Sequence, residues 1–212
     1  MSCCRRIAAC LALIASAAVS TAYAQSDSRF AVGGNIVLRM PRDAAAHADN
    51  DVGLLWRFGH GSDGWGFHWG LNWYSADIDQ TIGGGRVEFG RLHVRPVMAG
   101  YGYTYNIGRA SIIADVLGGY AFTSLALTPI ADDTYHERLG ARRVQTEVPD
   151  IFVATPEIAM WYDLSNKIGL NISGSYVIAR PTVIVHSTLG DDNRHLRADM
   201  FLLRIGVAYS IF

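Results

Sequence analysis

The stretch from Trp65 to Tyr74 constrains the fold of this chain more than any other. It reads WGFHWGLNWY: the odd positions carry only tryptophan, Phe67 and Leu71, and the even positions carry glycine or more polar residues. Side chains alternate between the two faces of a strand, so this pattern predicts a strand with one strongly apolar face. From Trp65 to Trp73 the strand would span roughly 27 Å, or about 19 Å vertically at a tilt near 45°. That height is comparable with the apolar belt of a membrane barrel, although the same face could line a soluble sandwich.

The beginning of the chain favours the membrane interpretation. Arg5 and Arg6 precede an apolar run, Ile7 to Val19, and Ala22-Tyr23-Ala24 then places small residues where a signal peptidase cleaves. This order is typical of a secretory signal peptide, and the run is too short to cross a bilayer as a helix. We therefore predict a signal peptide over residues 1–24 and one domain over residues 25–212.

Composition narrows the class of protein further. Half of the residues are hydrophobic and the net charge is −1, which gives no basic surplus for a nucleic-acid partner. No apolar run of about 18 residues follows the signal segment, so no membrane helix is expected. Closing a sheet into a barrel is the other way to satisfy every backbone group in hydrocarbon. All three cysteines, Cys3, Cys4 and Cys10, fall in the cleaved segment, so we expect no disulfide, no cysteine-bound metal and no cofactor.

Alternating segments occur throughout the rest of the chain. The loops between them alternate between long and short, as in outer-membrane barrels with long extracellular loops and short periplasmic turns. The sequence predicts an all-β fold, an eight-stranded antiparallel up-and-down transmembrane β-barrel. Its strands are 30–40, 52–58, 65–77, 91–105, 110–124, 151–163, 168–179 and 198–212. Residues 78–90 are expected to form a longer loop, and Pro96 is expected to interrupt its ladder because it cannot donate a hydrogen bond.

Polar residues opposite the apolar face are predicted to lie in the lumen. The lumen-facing set is Arg39, Arg57, His68, Asn72, Arg95, Asp115, Glu157, Asn171 and Arg204. A barrel of this size has room only for its own side chains, so buried charges need partners. We expect the arginines to pair with Asp115 and Glu157 as a packed plug; a gate over a small conduit is the alternative. On the outer surface, the predicted membrane-interface aromatics are Trp65, Trp73, Tyr120 and Tyr209.

The chain ends in an alternating strand that closes on Phe212, a feature of the signal read by the outer-membrane barrel-assembly machinery. With the signal peptide and the eight strands, the chain resembles the small eight-stranded outer-membrane barrels. These include the transmembrane domain of outer-membrane protein A, the opacity-type adhesins and the outer-membrane protein W group. Ser210 stands where that signal commonly has an aromatic, and Arg204 requires Phe201, Ile205 and Tyr209 to face outward, so a slip is expected at the very end. The resemblance implies a bacterial outer-membrane location with lipid and lipopolysaccharide neighbours.

Catalytic and metal-binding patterns are weak. A lipid A-modifying hydrolase would need a serine and a histidine on one face, but the neighbours His186 and Ser187 point to opposite faces of a strand. Histidine and aspartate also cluster in two loops, around His47 and around His195, without a zinc or EF-hand spacing. We therefore expect a non-enzymatic barrel with a structural or surface-interaction role; the alternatives are a narrow channel for small or apolar solutes and a lipid A-modifying enzyme.

Overall fold

A computed structural model describes residues 30–43, 45–58, 63–71, 73–141 and 144–211. The predicted signal peptide, Asn72 and Phe212 lie outside these residues. The strands are β1 Phe30–Pro41, β2 Ala46–His47, β3 Asp51–Phe58, β4 Gly64–Leu71, β5 Tyr74–Ile82, β6 Gly85–Ile107, β7 Ala110–Leu127, β8 Gln145–Glu147, β9 Ile151–Asp163, β10 Ile168–Val177, β11 Thr182–Ser187, β12 Gly190–His195 and β13 Met200–Ser210. One helix, α1 (Pro129–Leu139), lies between β7 and β8.

One curled antiparallel sheet forms the wall of the molecule. Its order is β2-β5-β6-β7-β9-β10-β13-β1-β3, with β4 also paired to β6. Strands β4 and β5 keep one register against β6, in which Leu71 pairs with Val97 and Tyr74 with Val94. They therefore act as one interrupted strand, and the wall has eight members. Three short strands, β8, β11 and β12, form a separate sheet. The predicted eight-stranded antiparallel fold class is confirmed.

The two ends of the barrel differ in their connections. At one end, named here the short-turn end, tight turns join Ile107 to Ala110 and Asp163 to Ile168, and Gly108 adopts the positive φ of 59° that the first of these turns requires. At the other end, the long-loop end, lie α1, the small sheet and the extended hairpin of β5 and β6. Thr128 caps α1 through Ala131 N–H, and Gly140 ends it with a φ of 69°.

The connection predicted as a loop over residues 78–90 is instead a strand hairpin. Strand β5 continues to Ile82, and Gly83 and Gly84, with φ of 56° and 82°, form the turn before β6 begins. Ile78, Ile82 and Phe89 are buried inside this hairpin. The prediction failed because it required the outer face of every strand to be apolar, and this hairpin has its apolar residues inside.

Pro96 lies opposite the interruption between β4 and β5. The register places it across from the gap between Leu71 and Tyr74, while its other edge pairs with Ala121 without a shift. A proline lacks the N–H that a ladder on that side would use, so the predicted break in the ladder is found at this position.

Outward-facing side chains form an apolar belt around the wall. On β13, Phe201, Ile205, Val207 and Tyr209 are exposed, whereas Leu202 and Ala208 between them are buried. The same alternation occurs on β4, where Trp65, Phe67, Trp69 and Leu71 are exposed. Within the described residues, no helix is long and apolar enough to cross a bilayer.

The belt predicts a depth-dependent cost for a charge on the outer face. We expect Ile205→Arg, near the middle of the belt, to cost about 2–4 kcal/mol of unfolding free energy in liposomes, and Phe201→Arg, near its upper edge, about 0–1 kcal/mol. Denaturant unfolding of both variants in the same lipid measures the difference. Equal costs at the two depths would contradict a hydrocarbon-embedded belt.

Candidate functional site

The barrel interior holds a cluster of paired charges near the middle of the wall. Arg204 Nη1 lies 2.9 Å from Glu157 Oε2, and His68 Nδ1 lies 2.6 Å from Asp115 Oδ2. All four side chains are at least three-quarters buried. Asp115 and Glu157 occupy paired positions on β7 and β9, so the two ion pairs stack side by side.

A second group of charges lies nearer the short-turn end. Arg57 donates to Asp163 Oδ1 at 3.2 Å and to Ser111 Oγ at 2.9 Å. Its guanidinium also lies over the Trp161 ring, 5.0 Å from the centroid. We name this group and the Arg204–Glu157 and His68–Asp115 pairs together the polar plug. It crosses the lumen through β3, β4, β7, β9 and β13.

Several predicted lumen residues pair with partners other than the expected ones. Asp115 pairs with His68 rather than with an arginine, and Arg57 uses Asp163. Arg39 Nη2 contacts Asp51 Oδ2 at 3.3 Å, and buried Asn171 donates to Met160 O at 3.4 Å. The predicted lumen set did not include Asp51 and Asp163. Both carboxylates lie at strand ends, where their partners depend on the register between neighbouring strands.

Arg95 contradicts its predicted position. Its side chain is exposed on the outer face, and its neighbours Val94 and Pro96 are buried. The register places Arg95 on the same side of the sheet as Trp69. Trp69 of β4 pairs with Ala99 of β6, and Arg95 lies on β6 four residues from Ala99, so all three side chains share a face. The alternation that assigned Arg95 to the lumen would place Leu92, Val94 and Met98 against lipid; the structure instead exposes Arg95 and buries these three.

The reversal follows from the height of this part of β6. From Ile107 to Val97, ten residues of a strand tilted by about 40° rise about 26 Å, the height of a typical apolar band. Arg95 is one step higher, where an arginine costs only about 0–1 kcal/mol. Above that level the wall meets water, so its apolar residues face inward.

The upper lumen is accordingly filled by apolar side chains. Buried members of this group come from β5, β6, β13, α1 and β11 of the small sheet, so α1 and the small sheet both contribute to the group and cover it. We name this group the apolar core; it includes Ile78, Ile82, Phe89, Leu92, Val94, Tyr135, Val183, Val185, Met200 and Leu202. It lies directly above the polar plug, so two different fillings are stacked in one barrel.

Arg194 links the elements that cover the apolar core. From β12 it donates to Asp192 Oδ2 at 2.8 Å and to the backbone oxygen of Thr81 at 3.1 Å. Its guanidinium lies over the rings of Phe89 and Tyr135, at 5.5 and 6.0 Å. Tyr135 also donates to Asp192 at 3.3 Å, which links α1 to the hairpin of β11 and β12. The Arg194 side chain therefore joins three connections of the long-loop end: the β5–β6 hairpin, α1 and the β11–β12 hairpin.

His186 connects the strands of the small sheet. Its Nδ1 lies 2.7 Å from Asp191 Oδ1 and its Nε2 lies 3.4 Å from Glu147 Oε2. Hydrogen bonds to Asp191 and then to Glu147 raise the pKa of His186 above its ordinary value of 6.5. Ser187 instead donates to Gly190 O at 3.2 Å, so the two side chains form no hydrogen bond that would serve a nucleophile and its base.

The sheet ends at β3 and at β4, and the curl brings these two strands together. Trp56 and Trp69 stack on the outer surface with centroids 5.5 Å apart. In the described parts of β3 and β4, no backbone ladder joins the two strands. Among the described residues, the Trp56–Trp69 stack is the contact that joins β3 to β4 at this seam.

Two small cavities lie at opposite ends of the barrel. One of about 140 Å³ lies at the long-loop end and is lined by Ile78, Gln80, His195 and Arg197, among others. The other, of about 30 Å³, lies beside Arg57 and Asp163 at the short-turn end. No group of three or more metal-ligating side chains is found among the residues that the structure describes.

The four predicted interface aromatics divide into two pairs, one toward each end of the belt. Trp65 pairs with Tyr103 and Tyr209 with Ile168, both toward the short-turn end. Tyr120 pairs with Val97, and Trp73 lies directly before the start of β5, both toward the long-loop end. All four are exposed.

Solved structures share this architecture. The crystal structure of outer membrane protein OprG from Pseudomonas aeruginosa matches 87% of this chain and 96% of its own, with a TM-score of 0.68 at 14% identity. The structure of outer membrane protein AlkL in lipid bilayers matches 87% and 90%, with a TM-score of 0.54 at 14% identity. No family model and no curated protein sequence matches the chain. The fold is thus that of the small outer-membrane β-barrels.

The Arg204–Glu157 pair predicts strong coupling between its two residues. Glu157→Leu leaves a buried, uncompensated guanidinium, and we expect it to cost about 3–5 kcal/mol of unfolding free energy. The double change Glu157→Leu with Arg204→Leu removes both charges and should recover most of this loss. Chemical unfolding of the single and double variants completes the cycle; additive costs would show that the pair is not coupled.

The raised pKa of His186 predicts a pH-dependent small sheet. Protonated His186 is stabilised by Asp191 and Glu147, so the added stability is present below pH 6.5 and is lost as the pH rises through the folded pKa. We expect slower proteolysis between β8 and β12 at pH 5.5 than at pH 8.5. His186→Gln, digested under the same conditions, corrects for the protease's own pH dependence. An equal pH effect in this variant would contradict the assignment.

Proposed function

We propose that this protein is a non-enzymatic integral protein of the bacterial outer membrane whose filled lumen holds a rigid long-loop end at the cell surface. Stacking of the apolar core on the polar plug is the observation that supports this most directly. Ions would have to displace paired charges at one level and cross tightly packed apolar side chains at the next. Either filling alone would impose a high barrier to ions.

The covered long-loop end supports a surface role. Helix α1, the small sheet and the β5–β6 hairpin are held together by Arg194 and its contacts with Thr81, Phe89 and Tyr135. Such order suits recognition, because a preorganised surface loses less entropy on binding than mobile loops do. The chain would reach the membrane through the export route and the assembly machinery that its two sequence ends predict.

A passage for small apolar solutes is the second candidate, and the seam favours it. In their described residues, β3 and β4 meet at the Trp56–Trp69 stack and share no ladder, so separating them there would break fewer hydrogen bonds than separating two laddered strands. The cavity near Ile78 and Leu196 reaches the apolar core from the long-loop end. An apolar solute that displaces core side chains would meet the polar plug below and the seam beside it.

Two measurements, one on the purified protein and one on cells, separate these candidates. Planar bilayers containing the purified protein are expected to show no single-channel steps, because both fillings exclude ions. Cells with an intact lipopolysaccharide layer should take up a small apolar dye at the same rate with and without the protein. Ion conductance would refute the filled-lumen proposal, and faster dye entry without conductance would favour the second candidate.

A further inference from the structure

The outward face of β5, β6 and β7 changes character in steps above the apolar belt. The last belt row contains Val97 and Tyr120, and the next contains Arg95 and Phe122. The row above it contains Ser75, His93 and Ser124, and the one after that the Arg91–Asp77 ion pair. The wall therefore passes from hydrocarbon-like to aqueous surroundings within about three rows, roughly 20 Å along the strands.

Arg95 occupies the first charged position of this series. It is exposed, and within the described parts of the chain no hydrogen bond or ion pair to its side chain is found. Phe122 lies directly across on β7, and Trp73, 62% exposed, lies on the opposite flank. Beside it, Tyr120 contacts Phe122 and Phe152 edge to face, with centroids 5.6 and 5.5 Å apart. A permanently charged guanidinium among interfacial aromatics matches the depth of lipid headgroups.

The row above Arg95 supplies further donors. Ser75, His93 and Ser124 pair directly with one another across the three strands, and among the described residues no side-chain partner of theirs is found. Of the carboxylates on the neighbouring strands and loops, Asp77 forms an ion pair with Arg91 at 2.6 Å, and Asp150 accepts a hydrogen bond from Thr123 N–H at 3.0 Å. A cation that has no ion-pair partner and lies below uncommitted donors favours an anion with several acceptor oxygens.

We propose that Arg95, with Ser75, His93 and Ser124, binds a phosphate of lipid A in the outer leaflet. The acyl chains would lie along the belt below Phe122 and Phe152, and the phosphate would meet the guanidinium at the edge of the belt. This inference rests on the proposed outer-membrane location. It adds a specific lipid contact to the surface of one side of the barrel.

Arg109 provides a matched control. It is exposed in the turn at the short-turn end, and no partner for its side chain is found among the described residues. An outer-membrane barrel with its long loops outside places Arg109 at the leaflet that lacks lipopolysaccharide. Arg95→Gln and Arg109→Gln each remove one exposed arginine, so both should fold and change the net charge equally.

Lipopolysaccharide retained on protein extracted from outer membranes in mild detergent tests the site. We expect wild type and Arg109→Gln to retain equal amounts, and Arg95→Gln to retain about tenfold less, as expected for loss of a charge-assisted contact. Equal retention by all three proteins would overturn the proposal. Recovery of wild type only from soluble fractions would instead refute the outer-membrane location itself.

A titration with purified lipid A identifies the group that is bound. Bisphosphorylated lipid A added to lipid-free protein in detergent should raise the thermal midpoint of wild type by more than that of Arg95→Gln. Dephosphorylated lipid A with the same acyl chains, and inorganic phosphate alone, should give the smaller shift in both proteins. An equal shift with dephosphorylated lipid A would assign binding to the acyl chains, and an equal shift with inorganic phosphate would assign it to a free ion; either result overturns the proposal.

Discussion

The solvent outside the wall changes along each strand, and most of the structure depends on this change. In the belt, hydrocarbon lies outside, so apolar side chains face outward and polar groups must find partners inside. Above the belt, water lies outside, and the same strands bury Leu92, Val94 and Phe89 instead. Strand β6 crosses this boundary without a break in its pairing to β7, so one continuous ladder has two opposite polarities.

This boundary also decides which features were predictable. Alternation, loop lengths and the two sequence ends were enough to predict the eight-stranded wall, and the belt residues of β4, β7 and β13 face as expected. The same rule applied to Leu92, Val94 and Arg95 gave the wrong face, because the sequence does not mark where hydrocarbon gives way to water. Ion-pair partners such as Asp163 were missed for a related reason: they depend on register between strands, to which local patterns are insensitive.

The two fillings of the lumen stabilise the barrel by different means. The apolar core gains from removal of surface from water and tolerates small rearrangements. The polar plug depends on partners in good geometry, and loss of one partner leaves a buried charge. The seam between β3 and β4 lies at the edge of both fillings, and in the described part of the wall Trp56 stacks on Trp69 there without a backbone ladder. Movement of the wall would begin most readily there.

The contacts of Arg194 have a consequence for immune recognition. This side chain, on β12, touches the backbone of Thr81, the ring of Phe89 and the ring of Tyr135, which come from distant parts of the chain. The exposed surface around them is therefore assembled from segments that are not contiguous in sequence. Antibodies elicited by the folded protein would recognise discontinuous epitopes, and short peptides copied from single loops would be poor immunogens against it.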